Sequence, residues 1–289
     1  PESPAAPAAA TPRPAAPRQA QTRALVERIQ SQFPAALQPL LLEGARRLVD
    51  YQDPAWATTY LDHMQRLCAL PGNDGGRLAS AAARHLALWM SYEDTIRVAE
   101  LKTRGSRFAR VRDEAQAADG QVMAIHEYMH PRLQEIAETL PWGLGTKLLA
   151  NGPARRLVER FTQRGRVVQT SSLRGFLLLH TLAGLKRWRR STLRHAAEEQ
   201  RIRAWLADIE TAAAHNPELA LEIVLCQRLV KGYSDTHERG LHNYQRLAGA
   251  WQKAGRRLAP ATLRELRDAA LADERGSQLQ AALQRHALA

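Results

Sequence analysis

Only two cysteines occur in the 289 residues, Cys68 and Cys226, far apart and without a C-x-x-C pair. They supply no thiolate set for an iron–sulfur cluster or a cysteine-rich zinc site. Aromatic residues are scarce at 6% while Ala, Leu and Arg dominate, which disfavours a sheet built on Val, Ile, Thr and Tyr. No apolar run reaches the length of a membrane span, and the N-terminus lacks the charged segment and apolar core of a signal peptide. The expectation is a soluble cytoplasmic protein with no membrane association. No complete P-loop, zinc finger or RNP motif is present.

What is present is helical. A hydrophobic content of 45% suffices to bury one large core or two smaller ones, and an all-α, multi-helix globular domain is expected. The net charge of +12 is carried mainly by Arg. Such a charge suits nucleic acid, an anionic cofactor or an acidic partner. The basic residues are interspersed with Glu and Asp along most helices, which argues against nucleic acid, and a compositional bias toward Arg is the simplest source of the charge.

Residues 1–21 form a Pro/Ala tract that cannot make a continuous helix and has too little bulky apolar surface to pack. It is expected to be a disordered linker ahead of an all-helical domain over 22–289. Because the chain begins without Met, the tract reads as the end of an interdomain connector. A first helical stretch over about 22–51 is divided by Pro34 and Pro39. Asp53-Pro54 and Asn216-Pro217 are start signals, an N-cap oxygen followed by Pro at the first helical position. A long helix is expected from Arg77 toward Lys102, with others at about 104–117, 119–130, 132–139, 153–163, 172–190 and 195–215. Residues 166–170 (RVVQT) are the one plausible strand, with a simple loop as the alternative. Residues 219–230 (LALEIVLCQRLV) are apolar nearly all round and belong at the centre of the core. A further helix near 241–254 and two after Pro260 complete the series.

Four segments carry chemistry-bearing residues. Residues 126–130 (HEYMH) match the H-E-x-x-H zinc-protease pattern, which needs His126, Glu127 and His130 on one helix, but Pro131 disfavours helical geometry at His130. Residues 90–104 (MSYEDTIRVAELKTR) place Glu93, Arg97 and Glu100 on one helical face and pair Asp94 with Arg97. That is either a solvated ion-pair ladder or an interface or anion site using Arg97, Lys102 and Arg104. Residues 231–240 (KGYSDTHERG) offer Lys231, His237 and Arg239 as cations and Asp235 or Thr236 as an N-cap, in a polar loop leaving the most apolar helix. This segment is open between a structural cap and a ligand or subunit contact. Gly143 and Gly145 lack a dinucleotide fingerprint and are expected in a turn, while the basic run 185–194 closes one helix and opens the next.

Residues 89–112 (WMSYEDTIRVAELKTRGSRFARVR) resemble a signature of the helical domain at the C-terminal end of indolepyruvate ferredoxin oxidoreductase beta subunits. Residues 48–55 (LVDYQDPA) with 60–62 (YLD), 127–131 (EYMHP) with Leu140-Pro141, and 228–240 (RLVKGYSDTHERG) match in order, covering about 41–244. The resemblance implies a domain that follows a smaller 2-oxoacid oxidoreductase domain and takes part in oxidative decarboxylation of arylpyruvates. Thiamine diphosphate and iron–sulfur clusters are implied on the partner alpha subunit and none on this chain, with ferredoxin and coenzyme A as further partners. It implies no catalytic residue here. Lys231, Tyr233, His237 and Arg239, with Arg97 and Lys102, are expected at a subunit or anionic-ligand contact. A zinc metallohydrolase on the HEYMH segment and a basic nucleic-acid binder are the alternatives.

Overall fold

The computed structural model describes residues 17–72, 76–118, 121–129, 132–162 and 166–288. Helices α1 (Pro17–Gln32) and α2 (Gln38–Tyr51) part at the two prolines as expected. α1 starts five residues ahead of the expected linker boundary, because Pro is tolerated in a first helical turn and Arg18, Gln19, Ala20 and Gln21 favour helix. Before α3 (Pro54–Cys68), Asp53 accepts from the Trp56 N–H at 2.8 Å.

The helix expected from Arg77 to Lys102 is two helices, α4 (Arg77–Met90) and α5 (Thr95–Thr103). Ser91 donates its hydroxyl back to the Ala87 carbonyl at 2.7 Å, and Asp94 restarts the chain by accepting from the Arg97 N–H at 2.6 Å. Asp94 thus meets the Arg97 backbone and not its guanidinium. It also accepts from Arg189, whose side chain is 1% exposed, at 2.8 and 3.3 Å.

α6 (Gly105–Glu114) follows, and the helix expected over 119–130 is absent: His126–Met129 form strand β1. β1 pairs antiparallel with β2 (Arg166–Gln169), the segment read as a strand, in the register Glu127 opposite Val168 and Tyr128 opposite Val167. Between them lie α7 (Leu133–Thr139), α8 (Trp142–Leu149) and α9 (Pro153–Thr162). α8 occupies the expected Gly turn, since a Cβ on Gly145 would collide with the Ala137 carbonyl oxygen and glycine lets α8 close onto α7. α10 (Leu173–Gly184) runs into a 3-10 segment, Leu185–Ser191, and then α11 (Leu193–Ala213).

α12 (Pro217–Cys226) starts from Asn216, which accepts from the Leu219 N–H at 3.1 Å, and is buried nearly all round. α13 (Ser234–Ala254), α14 (Pro260–Ala272) and α15 (Ser277–Arg285) finish the chain. The expected 231–240 loop is largely the opening of α13. Its N-cap is Tyr233, with no side-chain cap, so Asp235 and Thr236 stand inside the first turn.

The apolar core belongs to α1–α4 and α11–α15. Trp89 meets Trp205 and Tyr244 at 5.3 Å, and Tyr244 meets Trp251 at 5.7 Å, an aromatic chain tying α4, α11 and α13. Polar tips are satisfied locally, Trp205 on the Ile223 carbonyl at 3.1 Å and Tyr60 on the Ala83 carbonyl at 3.0 Å. By contrast, residues 95–191 contribute to the buried apolar set, among the described residues, only Ile96, Ala99, Ala137, Leu148 and Leu179. This middle lobe is thin, and buried charge fixes its attachment. Asp94→Ala removes the α5 cap and strands the Arg189 guanidinium, so it is expected to cost about 3–5 kcal/mol in urea unfolding; Asp94→Asn keeps the cap and should recover only part.

Candidate functional site

The residues singled out in the sequence converge, but on the interior. Glu198, in the second turn of α11, is fully buried. Its carboxylate accepts from the Trp89 indole at 3.0 Å, from Arg194 at 2.9 Å and from Arg201 at 2.9 Å. Arg194, one turn earlier on α11, also reaches Glu138 on α7 at 3.0 Å and lies over the Tyr92 ring at 5.6 Å. Its Nη2 donates to His237 Nε2 at 2.8 Å. The two signature segments therefore meet, Trp89 and Tyr92 from one side and His237 from the other, with Arg194 and Glu198 between them.

This geometry sets protonation. A guanidinium has only donors, so His237 Nε2 must be the lone-pair nitrogen and the imidazole is neutral. Burial, reinforced by Arg194, depresses the His237 pKa to about 4. Burial pushes the Glu198 carboxyl upward, but Arg194 and Arg201 outweigh it and hold the group below its usual value. Next to this lies a second buried set. Arg189 stacks over Tyr51 at 4.2 Å and donates to the Tyr51 carbonyl at 2.7 Å. Tyr51 and Tyr92 meet edge to face at 5.6 Å, and burial raises the pKa of both hydroxyls.

Each remaining motif cation has a place. Arg97 pairs with Asp50 at 2.8 Å and Glu100 at 2.5 Å, and Arg104 with the same two carboxylates. Glu93, expected on that ladder, precedes α5 and is exposed. Lys102 and Arg107 both hold Glu127. Arg132 pairs with Asp235 and Glu238, linking α7 to the first turns of α13. Arg239 pairs with Glu274 at 3.2 Å on the surface. Lys231 and Tyr233 are exposed, and Lys231 borders a crevice of about 20 Å³ between α13 and α14, with room for about one water. Gly240 is needed inside α13 because a Cβ there would overlap the Leu229 carbonyl oxygen. Thus Arg97, Lys102 and His237 are structural members of ion-pair or hydrogen-bond sets, and Lys231, Tyr233 and Arg239 face solvent.

The zinc-protease geometry is not formed. His126 and Glu127 lie on a strand, where neighbouring side chains point to opposite faces, and Glu127 is engaged by two cations. His130 lies outside the described residues. Among the described residues no group of three His, Cys, Asp or Glu side chains converges to hold a metal. Sequence reading missed Glu198, Arg194 and Arg189. The signal for the first two was the spacing Arg194, Glu198, Arg201, which puts all three on one face of α11.

Two outcomes test this site. Glu198→Ala leaves Arg194 short of a buried partner and is expected to lower stability by about 3–5 kcal/mol in chemical denaturation. His237 has a folded pKa depressed to about 4 from an ordinary 6.5, so its contribution is complete above about 6.5 and lost as pH falls through that window. Unfolding free energy should fall by on the order of 3 kcal/mol from this group alone between those pH values. His237→Gln should flatten that part of the profile, and an unchanged slope would refute the assignment.

No curated protein and no solved structure matches the chain. One family does, over residues 37–250, a span that runs from the start of α2 into α13, short of its last turn, and takes in every residue of the Glu198 and Arg189 networks. The chain belongs to that family, described as a family of unknown function, DUF6537.

Proposed function

We propose that this chain is the non-catalytic helical domain of an indolepyruvate-type ferredoxin oxidoreductase beta subunit, and that it serves in subunit assembly or as a cover over the active site of its partner. The observation that carries the reading is the use made of the matched motifs. Trp89, Tyr92, Asp94, Asp50, Glu127 and His237 are all engaged inside the fold. Motif residues engaged in this way hold a shape, and a chain whose matched motifs hold a shape suits a module that presents surfaces.

In this reading thiamine diphosphate and the iron–sulfur clusters reside on the alpha subunit, where the decarboxylation of the arylpyruvate takes place. The beta chain contributes contacts. Lys231 and Tyr233, exposed at the start of α13, are available to such a contact or to the anionic part of coenzyme A. The reading also puts the chain in the cytoplasm, where free cysteines such as Cys68 and Cys226 stay reduced.

Co-expression with the thiamine-diphosphate and iron–sulfur subunit is the test. A stoichiometric complex through size-exclusion chromatography is expected, and Lys231→Ala with Tyr233→Ala should weaken it by about tenfold if these residues lie at the contact. Failure of the wild-type chain to associate would remove the assembly role.

A further inference from the structure

Residues 160–197 hold nine Lys and Arg and no Asp or Glu, a stretch of 38 residues in a chain that otherwise carries 29 acids. α10 and its 3-10 extension lie within it. α10 packs on α5, and Gly175 and Leu179 are its buried residues. Its outer face, where an amphipathic surface helix carries polar residues, carries leucine: Leu173 is 74%, Leu177 50% and Leu178 53% exposed. One helical turn past α10, Trp188 is 51% exposed under the Arg187 guanidinium at 3.9 Å. Arg174 stands among the leucines, and neither it nor Arg187 has a carboxylate partner among the described residues, whereas Arg97, Arg104, Arg189 and Arg194 all do.

We infer that this face, α10 together with Trp188, docks an acidic amphipathic helix of a partner polypeptide; the inference rests on the assembly role proposed above and names its surface and the chemistry of its occupant. Leucines one turn apart offer a ridge for the grooves of a second helix, and the guanidinia of Arg174 and Arg187, without a carboxylate among the described residues, call for carboxylates flanking that helix's apolar stripe. A second copy of this chain is disfavoured, because a twofold contact would set these cations against themselves. Nucleic acid would use the cations and leave three leucines unsatisfied, since such interfaces are polar. A bilayer would take the leucines only if the Arg174 guanidinium among them snorkelled back to the headgroups, an outcome that the vesicle probe tests.

The probe is a synthetic helix with Leu at positions i, i+3, i+4 and i+7 and Glu on either side, its binding to the full chain followed by fluorescence anisotropy. Comparison probes are the same helix with Lys for Glu, phosphatidylglycerol vesicles and a single-stranded RNA. The Leu/Glu helix should bind and the Leu/Lys helix should not. Leu177→Ser, Arg174→Glu and Arg187→Glu, all solvent-facing, should each weaken binding by about tenfold or more while leaving the helical circular dichroism and the unfolding midpoint unchanged. Equal affinity for the Leu/Glu and Leu/Lys helices, indifference to the three substitutions, or vesicle or RNA binding that depends on them would overturn the inference. The same variants in the co-purification separate the two ideas. A complex retained undiminished by all three overturns this face and leaves the assembly role standing, whereas a complex lost with them supports both.

Discussion

A carboxylate with no access to water has to be surrounded by donors, and the architecture around Glu198 is the set of positions that allows it. Its three partners come from α4 and α11, and Arg194 extends the connection to α7 and α13. Replacing such a cluster with apolar groups can be neutral or stabilising, so its presence adds little net stability. Its effect is on geometry. Apolar faces of Ala and Leu slide past one another at small cost, while an indole N–H and two guanidinia meeting one carboxylate fix rotation and register together.

The same logic extends across the middle lobe. With five buried apolar side chains among the described residues between 95 and 191, hydrophobic burial alone holds this region weakly. Attachment passes to Asp94 with Arg189, to Asp50 with Arg97 and Arg104, to Lys186 on the Asp50 carbonyl at 2.6 Å, and to the bridge between Pro141 and Thr192. The surplus positive charge of the chain is therefore unevenly used. Acid-bearing helices neutralise many of their own cations, whereas Arg174 and Arg187, on α10 and its 3-10 extension, have no carboxylate partner among the described residues.

Local rules carried far in this sequence. Asp53-Pro54 and Asn216-Pro217 set two helix starts, the all-apolar run at 219–230 marked the most buried helix, and the RVVQ segment was legible as a strand. Where expectation and structure differ, a tertiary partner decides. The interruption at Asp94 depends on an arginine 95 residues away, and β1 exists because β2 offers it a ladder that a helical reading of 119–130 does not include. α8 depends on a glycine that lets it meet α7, a contact that composition reads only as a turn. The candidate site shows the same division. Its motif residues were visible, but which glutamate would be buried among Glu198 and Glu199 is settled by Trp89, far away in sequence. An i, i+4, i+7 ladder in isolation reads as a solvated surface.

The division of the core between the two ends of the chain has a consequence for biosynthesis. α4 packs on α12, whose first residue lies 127 positions beyond the last of α4 (217 − 90), with the whole middle lobe in between. At about 5–20 residues per second, α1–α4 emerge some 6–25 s before their packing partner is made. During that interval Trp89, whose ring partners Trp205 and Tyr244 belong to α11 and α13, lacks its permanent cover. The nascent chain thus passes through an open half-core, and transiently exposed apolar surface of that kind is prone to aggregate before its partner arrives.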